Sequence, residues 1–161
     1  MKELLTTNGG TFLDNEDHEY FKRWKWCKHK SGHVYRNTRV KGVEVVLFLH
    51  KEILKRAYDY TGEADHKNWI PWDNQKENLR PASRSQNQMN QGLGANNSTG
   101  YKGVHYDASY GLYKAEITVR GRLIHLGRFR DLIEAARAYD KAARRYHKEF
   151  AFLNFPEETQ C

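Results

Sequence analysis

The sequence contains very little cysteine. Only Cys27 and Cys161 occur in 161 residues, which argues against a framework of several disulfides and favours a reducing, cytoplasmic setting. Cys27 with His29 and His33 would begin a zinc site, but no Cys-x-x-Cys pair completes the usual set of four ligands. We therefore favour ordinary surface residues at these three positions.

The sequence also lacks long apolar runs. No segment is apolar over the length that a membrane-spanning helix requires, and residues 1–10 lack the apolar core of a secretory signal. We therefore expect a soluble, intracellular protein without a membrane partner. The length allows one ordinary domain or two small ones.

Positive charge exceeds negative charge. The chain has 27 Lys and Arg against 20 Asp and Glu, a net charge of +7, which suggests a polyanionic partner. A solvated basic surface would explain this charge equally well. The chain is only 39% hydrophobic, but ten Tyr and four Trp supply large surfaces to bury.

Local patterns in the first half predict a short helix or turn over 17–26, strands over 34–40 and 43–49, and a helix over 50–60. Lys41-Gly42 is a typical turn between the two strands. Ser83 and Gln86 form a Ser-x-x-Gln capping box, so we expect a helix that starts there and carries Asn87.

The second half follows a small, polar segment, 92–99, which we interpret as a flexible linker. Strands are predicted over 102–106, 112–120 and 123–129. A final helix opens at Asp131 with Glu134, and it carries one apolar stripe: Ile133, Ala136, Tyr139, Ala143 and Tyr146. The predicted domains are therefore 1–91 and 100–161.

Four polar residues of the first half have the chemistry of phosphodiester hydrolysis: Asp65, His66, Asn78 and Asn87. The reaction needs a base to activate water, and neutral histidine suits this near pH 7 if an acceptor fixes its other ring nitrogen. It also needs a cation to stabilise charge on the leaving oxygen, and hard divalent cations prefer carboxylate and amide oxygens. A structured polar hairpin with no catalytic role is the alternative.

The spacing allows these residues to converge. Neighbouring residues on a strand point to opposite faces, so Asp65 and His66 would meet a common site only where a strand ends. Asn78, twelve residues after His66, would return on a second strand, and Asn87 would approach from the following helix.

The same region resembles the HNH nuclease motif in the variant whose third histidine is asparagine, as in phage homing endonucleases with a ββα-metal site. The matching elements are Asp65-His66, Asp73-Asn74, Glu77-Asn78-Leu79-Arg80 and Ser85-Gln86-Asn87-Gln88. The resemblance covers roughly 10–91. It implies His66 as general base, Asn78 as the residue that orients it, and Asp65 with Asn87 as ligands of Mg²⁺ or another divalent cation such as Mn²⁺. Arg80 and Arg84 would contact DNA.

The segment 67–72 departs from that family. It reads Lys-Asn-Trp-Ile-Pro-Trp, whereas the family has Gly, Asp and Asn there. Trp69 or Trp72 would either wedge against the duplex or pack on the small core, and we favour packing for both. His50 matches a recurrent Leu-His-x-x-Ile element of the family, to which we assign no chemical role.

The second half alternates between apolar and polar residues, as in a sheet with one face packed on a helix and the other exposed. It resembles the APETALA-two/ethylene-response-factor domain through Tyr101-Lys-Gly-Val-His105, Ala115-Glu-Ile117, Leu126-Gly-x-Phe129, Glu134-Ala-Ala-x-Ala-Tyr-Asp140 and Leu153-Asn-Phe-Pro156. That family places its sheet in the DNA major groove. The resemblance implies the following DNA-facing residues: Lys102, His105, Glu116, Thr118 and His125, with Arg120 and Arg122 beside them. A solvated strand face is the alternative at each position.

Together these patterns predict an α+β chain with an N-terminal ββα-metal nuclease domain and a C-terminal three-stranded antiparallel sheet on one helix. We expect a monomeric, metal-dependent endonuclease that nicks double-stranded DNA. One alternative is a non-catalytic DNA-binding regulator whose nuclease-like half is only a second DNA contact. An RNA-directed nuclease is a third, which a groove-reading sheet disfavours because the major groove of A-form RNA is too narrow.

Overall fold

The computed structural model describes residues 1–157. Cys161, one of the two cysteines, lies outside the described residues, and Cys27 is a free thiol. The chain is α+β. It divides into two compact units, Met1–Asn87 and a second that starts at Gln88. No helix within 1–157 is both long and apolar enough to cross a membrane.

The first unit consists of small antiparallel sheets and short helices. In chain order its elements are β1 (Lys2–Thr6), β2 (Gly9–Leu13), α1 (Asn15–Phe21), β3 (Cys27–Lys28), β4 (Val34–Val40), β5 (Val43–Phe48), α2 (Leu49–Tyr58), β6 (Glu63–His66), β7 (Leu79–Ala82) and α3 (Arg84–Asn90). The sheets are β1-β2, β3-β4-β5 and β6-β7. The boundary between the two units falls within α3.

The predicted hairpin and the helix after it are confirmed. Val40 pairs with Val43 across the turn, where Lys41 and Gly42 both have positive φ (49° and 81°). The helix predicted over 50–60 is α2, and the one predicted over 17–26 is α1, which lies a few residues earlier. The hairpin of β1 and β2 was not predicted.

Helix α2 packs on the core of the first unit. Leu49, Ile53 and Leu54 are fully buried, as their helical spacing requires, together with Trp26 at 1% exposure. The Trp26 indole donates its hydrogen bond to the Phe21 carbonyl over 3.0 Å, so this large ring is buried without an unpaired donor.

The predicted capping box also forms. The Ser83 amide donates to Gln86 Oε1 (2.7 Å) and the Gln86 amide to Ser83 Oγ (3.2 Å). These reciprocal bonds satisfy amides that the first turn of a helix leaves unpaired. They begin α3 at a position from which the side chain of Asn87 reaches β6, where it donates to the Ala64 carbonyl.

The second unit is a three-stranded antiparallel sheet packed on one helix. Its elements are β8 (Val104–Asp107), β9 (Leu112–Val119), β10 (Arg122–Phe129), α4 (Leu132–Tyr146) and a 3₁₀ helix (Lys148–Phe150), with strand order β10-β9-β8. Asp131 caps α4 through Oδ1, which accepts from the Glu134 amide over 2.8 Å. The three strands and α4 lie close to their predicted positions, and the 3₁₀ helix was not predicted.

The core of the second unit lies between β9 and α4. Ala115 and Ile117 from the strand meet Ala136, Tyr139 and Ala143 from the helix, and all five are buried. The prediction that Tyr146 also belongs to the core is wrong, because this last residue of α4 is 39% exposed.

Gly103 is the position where the second unit requires a glycine. Its φ is +74°, and a Cβ placed on it would lie 2.0 Å from Cδ2 of Tyr139. Any side chain would therefore clash with the main aromatic residue of this core.

Candidate active site

Strand β6 carries Asp65 and His66 at its end. In the antiparallel pair, Asp65 lies opposite Arg80 and His66 opposite Leu79. Both residues are largely buried, at 8% and 6% exposure. Asn87 approaches from α3, where its Nδ2 donates to the carbonyl of Ala64 over 3.2 Å. Asn87 is therefore hydrogen-bonded to the backbone of the residue that precedes Asp65 and His66 on β6.

The hydrogen bonds of Asn74 fix the tautomer of His66. Asn74 is fully buried, its Nδ2 donates to Thr11 Oγ1 (2.8 Å), and its Oδ1 lies 3.1 Å from His66 Nε2. Since an amide oxygen only accepts, His66 must donate from Nε2. The lone pair of the imidazole is then on Nδ1, which is the nitrogen able to take a proton from water.

Asn78 has a different role from the one that the sequence suggested. Its Oδ1 accepts from the Asn68 amide (3.0 Å) and its Nδ2 donates to the Asp73 carbonyl (2.7 Å). The side chain therefore holds the loop between β6 and β7. The contact expected from Asn78, an acceptor at the His66 ring, is made by Asn74 instead.

The unpredicted first hairpin supports this loop. The Phe12 amide donates to the Trp72 carbonyl (2.9 Å), and the Asn74 amide donates to the Phe12 carbonyl (2.9 Å). The Thr11 hydroxyl adds a bond to the Trp72 carbonyl (2.8 Å). Because β2 fixes the backbone of Asn74, it also fixes the acceptor that faces His66.

Two further histidines pack around His66. The ring centroids of His33, His50 and His66 are 5.1–5.8 Å apart. The Nδ1 atoms of His33 and His50 are buried without a hydrogen-bond partner in residues 1–157. Sequence patterns did not reveal this cluster, since 33, 50 and 66 lie on separate segments, although His50 was noted within a family element.

Burial keeps the three imidazoles neutral. It lowers the pKa of His33 and of His66, and it lowers the pKa of His50 to about 2. For His66, the hydrogen bond to Asn74 acts in the opposite direction and raises the pKa. His66 therefore carries a free base form at neutral pH, as a general base must.

The oxygens of Asp65 and Asn87 suit a hard cation. Asn87 Oδ1 is buried and has no hydrogen-bond partner among the described residues, which is unusual because buried carbonyl oxygens normally accept a bond. Asp65 contributes a carboxylate whose Oδ2 accepts from Arg80 Nε (2.8 Å) and Nη2 (2.7 Å). These are ligand types that Mg²⁺ prefers while keeping several waters.

A metal centre built from His, Cys, Asp and Glu alone is not found. Within residues 1–157 no group of three or more such side chains is placed to hold an ion. The zinc site considered from the sequence, at Cys27, His29 and His33, is therefore not formed by these described residues. An Asp–Asn pair falls outside that ligand class and remains the candidate cation site.

The two arginines of the first unit that were predicted to contact DNA differ in solvent exposure. Arg80 turns to Asp65, and only 13% of its side chain is exposed. Arg84 is exposed at the start of α3. Trp69 and Trp72 were both expected to pack on the core, but they are 47% and 38% exposed and neither belongs to the core cluster of this unit. The Trp72 ring lies 4.5 Å from Lys28 Nζ.

The outer face of the second unit carries most of its predicted contacts. His105, Thr118 and His125 are exposed, and Glu116 is half-buried beside His125. Arg120 and Arg122 are both exposed and flank Gly121 at the turn between β9 and β10. The strand register places two further cations, Lys114 and Arg128, on this face, although the sequence did not single them out. Lys114 lies opposite His105 on one side and Arg128 on the other.

Lys102 does not belong to this face. Its Nζ donates to the Met89 carbonyl (2.6 Å) and to the Gln91 carbonyl, and burial lowers its pKa to about 8. The predicted role in DNA binding is therefore replaced by a structural one: the ammonium group satisfies the carbonyls at the end of α3.

No known protein-family model matches the chain. The chemistry must therefore be inferred from its own side chains. A neutral imidazole with its lone pair on Nδ1 can take a proton, and the adjacent carboxylate and unpaired amide oxygen can bind a hard cation.

Proposed function

We propose that the chain is a metal-dependent endonuclease of the HNH homing type that hydrolyses phosphodiester bonds in duplex DNA. In this proposal β6, β7 and α3 form the ββα-metal unit, and the sheet of the second unit binds DNA. The observation that supports it is the bond between His66 Nε2 and Asn74 Oδ1, because it leaves the lone pair of the imidazole on Nδ1, the nitrogen that would take the proton.

The chemical step begins at His66. Its Nδ1 takes the proton of the attacking water, and the Asn74 oxygen stabilises the Nε2–H of the imidazolium that forms. Asp65 and Asn87 would hold Mg²⁺ or Mn²⁺, which supplies charge stabilisation at the leaving oxygen. Arg80 fixes the position of the Asp65 carboxylate through two hydrogen-bond donors on one oxygen.

The sheet of the second unit would supply the binding energy for DNA. Its outer face would offer Lys114 and Arg128 to phosphates, exposed Arg122 at the turn between β9 and β10 would add a further cation, and exposed His105 and His125 can hydrogen-bond to base edges. A two- or three-stranded ribbon fits the major groove. Since one catalytic site cuts one strand, a monomer would nick the duplex.

Nicking of supercoiled plasmid tests this proposal. With Mg²⁺ or Mn²⁺ the wild-type protein should produce nicked circles, and His66→Ala should lose this activity while still retarding DNA in a gel. His29→Ala is the matched control, because His29 is an exposed histidine of the same unit outside the site. Equal nicking by wild type and His66→Ala would contradict the proposal.

A non-catalytic DNA-binding regulator is the second candidate. The observation that favours it is the Asp65–Arg80 pair, since two donors from Arg80 already occupy one carboxylate oxygen. A protein that retards duplex DNA but never nicks it with any divalent ion would favour this candidate. Preference for RNA cleavage over duplex DNA cleavage would contradict both.

A further inference from the structure

The C-terminal end of α3 is closed by a residue from outside the helix. Helix α3 is only seven residues long, and so short a helix is not stable by itself. The last carbonyls of a helix have no intrahelical partners. Lys102 Nζ donates to the Met89 carbonyl (2.6 Å) and to the carbonyl of Gln91, which follows the last helical residue. Lys102 therefore stabilises the last turn of α3, as the capping box stabilises the first.

The backbone of Lys102 is held in place within the second unit. Its amide donates to Asn154 Oδ1 (2.7 Å), and its carbonyl accepts from Asn154 Nδ2 (3.2 Å). Asn154 donates in turn to Asp140 Oδ1, from its amide over 2.9 Å and from Nδ2 over 3.0 Å. Asp140 lies on α4 and is 1% exposed. The Lys102 backbone is thus fixed to the helix that supports the sheet, and its ammonium group reaches from there to α3.

The Lys102 ammonium group remains charged although it is partly buried. Burial lowers its pKa to about 8, which is still above neutral pH. The two carbonyls accept its hydrogen bonds, and the Phe152 ring lies 5.3 Å from Nζ, within the range of a cation–π interaction. The group can therefore donate to both carbonyls at neutral pH.

Asn87 lies in the same short helix, one turn before Gln91. Within residues 1–157 one hydrogen bond holds its side chain, from Nδ2 to the Ala64 carbonyl, and its Oδ1 is buried without a partner. The position of that oxygen therefore depends on the backbone of α3. Mg²⁺ requires near-ideal octahedral geometry, so a small displacement of an oxygen ligand lowers the affinity for the cation.

We propose that Lys102 is a positioning residue for the cation site, because it fixes the C-terminal end of the helix that carries Asn87. The inference rests on the proposed function, in which Asn87 binds the cation. Since α3 begins in the first unit and ends in the second, a residue of the second unit can act on Asn87 through the helix backbone. Lys102 itself would touch neither the cation nor the DNA.

Binding of Mn²⁺ to the full chain without DNA tests the proposal, with EPR measuring the free ion below the lowest Tm of the variants. Lys102→Met removes the donors and should weaken Mn²⁺ binding about 10-fold, the lower end of the range for residues that position metal ligands. Lys141→Met controls for the loss of one positive charge, since Lys141 is exposed on α4. Ile117→Val controls for stability, since Ile117 is buried in the core of the second unit. Neither control should change the affinity for Mn²⁺.

Three further measurements separate positioning from a general loss of structure. Asn87→Ala should weaken Mn²⁺ binding at least as much as Lys102→Met, because it removes the ligand itself. Hydrogen exchange of the α3 amides should become faster in Lys102→Met and not in Ile117→Val. Retardation of duplex DNA in a gel should be the same for Lys102→Met as for wild type. A different result in any of these three, or an equal loss of Mn²⁺ affinity in Ile117→Val, would overturn the proposal.

Failure of this proposal is distinguishable from failure of the proposed function. If wild type binds Mn²⁺ but never nicks DNA, the catalytic proposal fails, and the comparison of Mn²⁺ affinities still decides the role of Lys102. If wild type nicks DNA and Lys102→Met binds Mn²⁺ as tightly as wild type, only the role of Lys102 fails. Absence of Mn²⁺ binding by wild type would overturn the role of Lys102 as well.

Discussion

Replacing Asn74 with alanine should damage both the fold and the reaction. The substitution removes the acceptor at His66 Nε2 and the donor to Thr11 Oγ1 at a fully buried position. Unpaired buried polar groups and the small cavity together should cost about 2–4 kcal/mol of unfolding free energy. Because the imidazole loses the partner that fixes its tautomer, the nicking rate should fall about 10- to 100-fold.

Thr11→Val separates these two effects. It removes the hydroxyl that bonds both Trp72 and Asn74, and so weakens the same loop, but it leaves Asn74 Oδ1 at the imidazole. Thermal unfolding gives the stability of each variant, and nicking is measured well below the lower Tm. Thr11→Val should then retain most of the wild-type rate. If folded Asn74→Ala nicks as fast as wild type, Asn74 does not orient the base.

The remaining predictions concern pH and salt. Burial lowers the pKa of His50 from 6.5 to about 2. The contribution of neutral His50 to the free energy of unfolding is therefore complete above pH 6.5, and it declines by up to about 1.4 kcal/mol per pH unit as the pH falls towards 2. His50→Leu should move acid unfolding, followed by circular dichroism, to lower pH, and the exposed His29→Leu should not; equal midpoints would contradict the role of burial. Arg122→Gln should reduce the salt dependence of DNA binding by about one unit of slope, whereas Lys102→Met should leave the slope unchanged and lower Tm. A changed slope with Lys102→Met would restore Lys102 to the DNA contacts.

Local patterns were enough to predict many of the elements. The hairpin of β4 and β5, the capping box of α3, and the sheet with α4 all depend on neighbours within a few residues. In each case the turn or cap residue and the hydrophobic periodicity predict the same element, and the tertiary packing is consistent with that element. The face of α4 that packs on the sheet was found for the same reason, apart from its final turn at Tyr146.

The arrangement inside the site depends on contacts between distant segments. Asn74 reaches His66 only because β2 pins the loop through Thr11 and Phe12, more than 60 residues earlier. Nothing in the spacing of Asn74 and Asn78 distinguishes the one that faces the ring from the one that holds the loop. The clustering of His33 and His50 around His66 is equally non-local.

The sequence also did not predict the solvent exposure of two side chains. Trp69 is a residue type that usually packs, yet 47% of it is exposed. Lys102 is a residue type that usually stays in solvent, yet its Nζ donates to backbone carbonyls at the end of α3. For Lys102, specific hydrogen bonds override the average behaviour of the side chain.

Chemical rescue tests most directly whether the His66 imidazole is the base. His66→Gly leaves a space where free imidazole can bind, and plasmid nicking is followed with Mg²⁺ at increasing imidazole concentrations. Nicking should be lost in this variant and should return in proportion to added imidazole, with no increase for wild type. Nicking by His66→Gly at the wild-type rate without imidazole would contradict the assignment of His66 as the base.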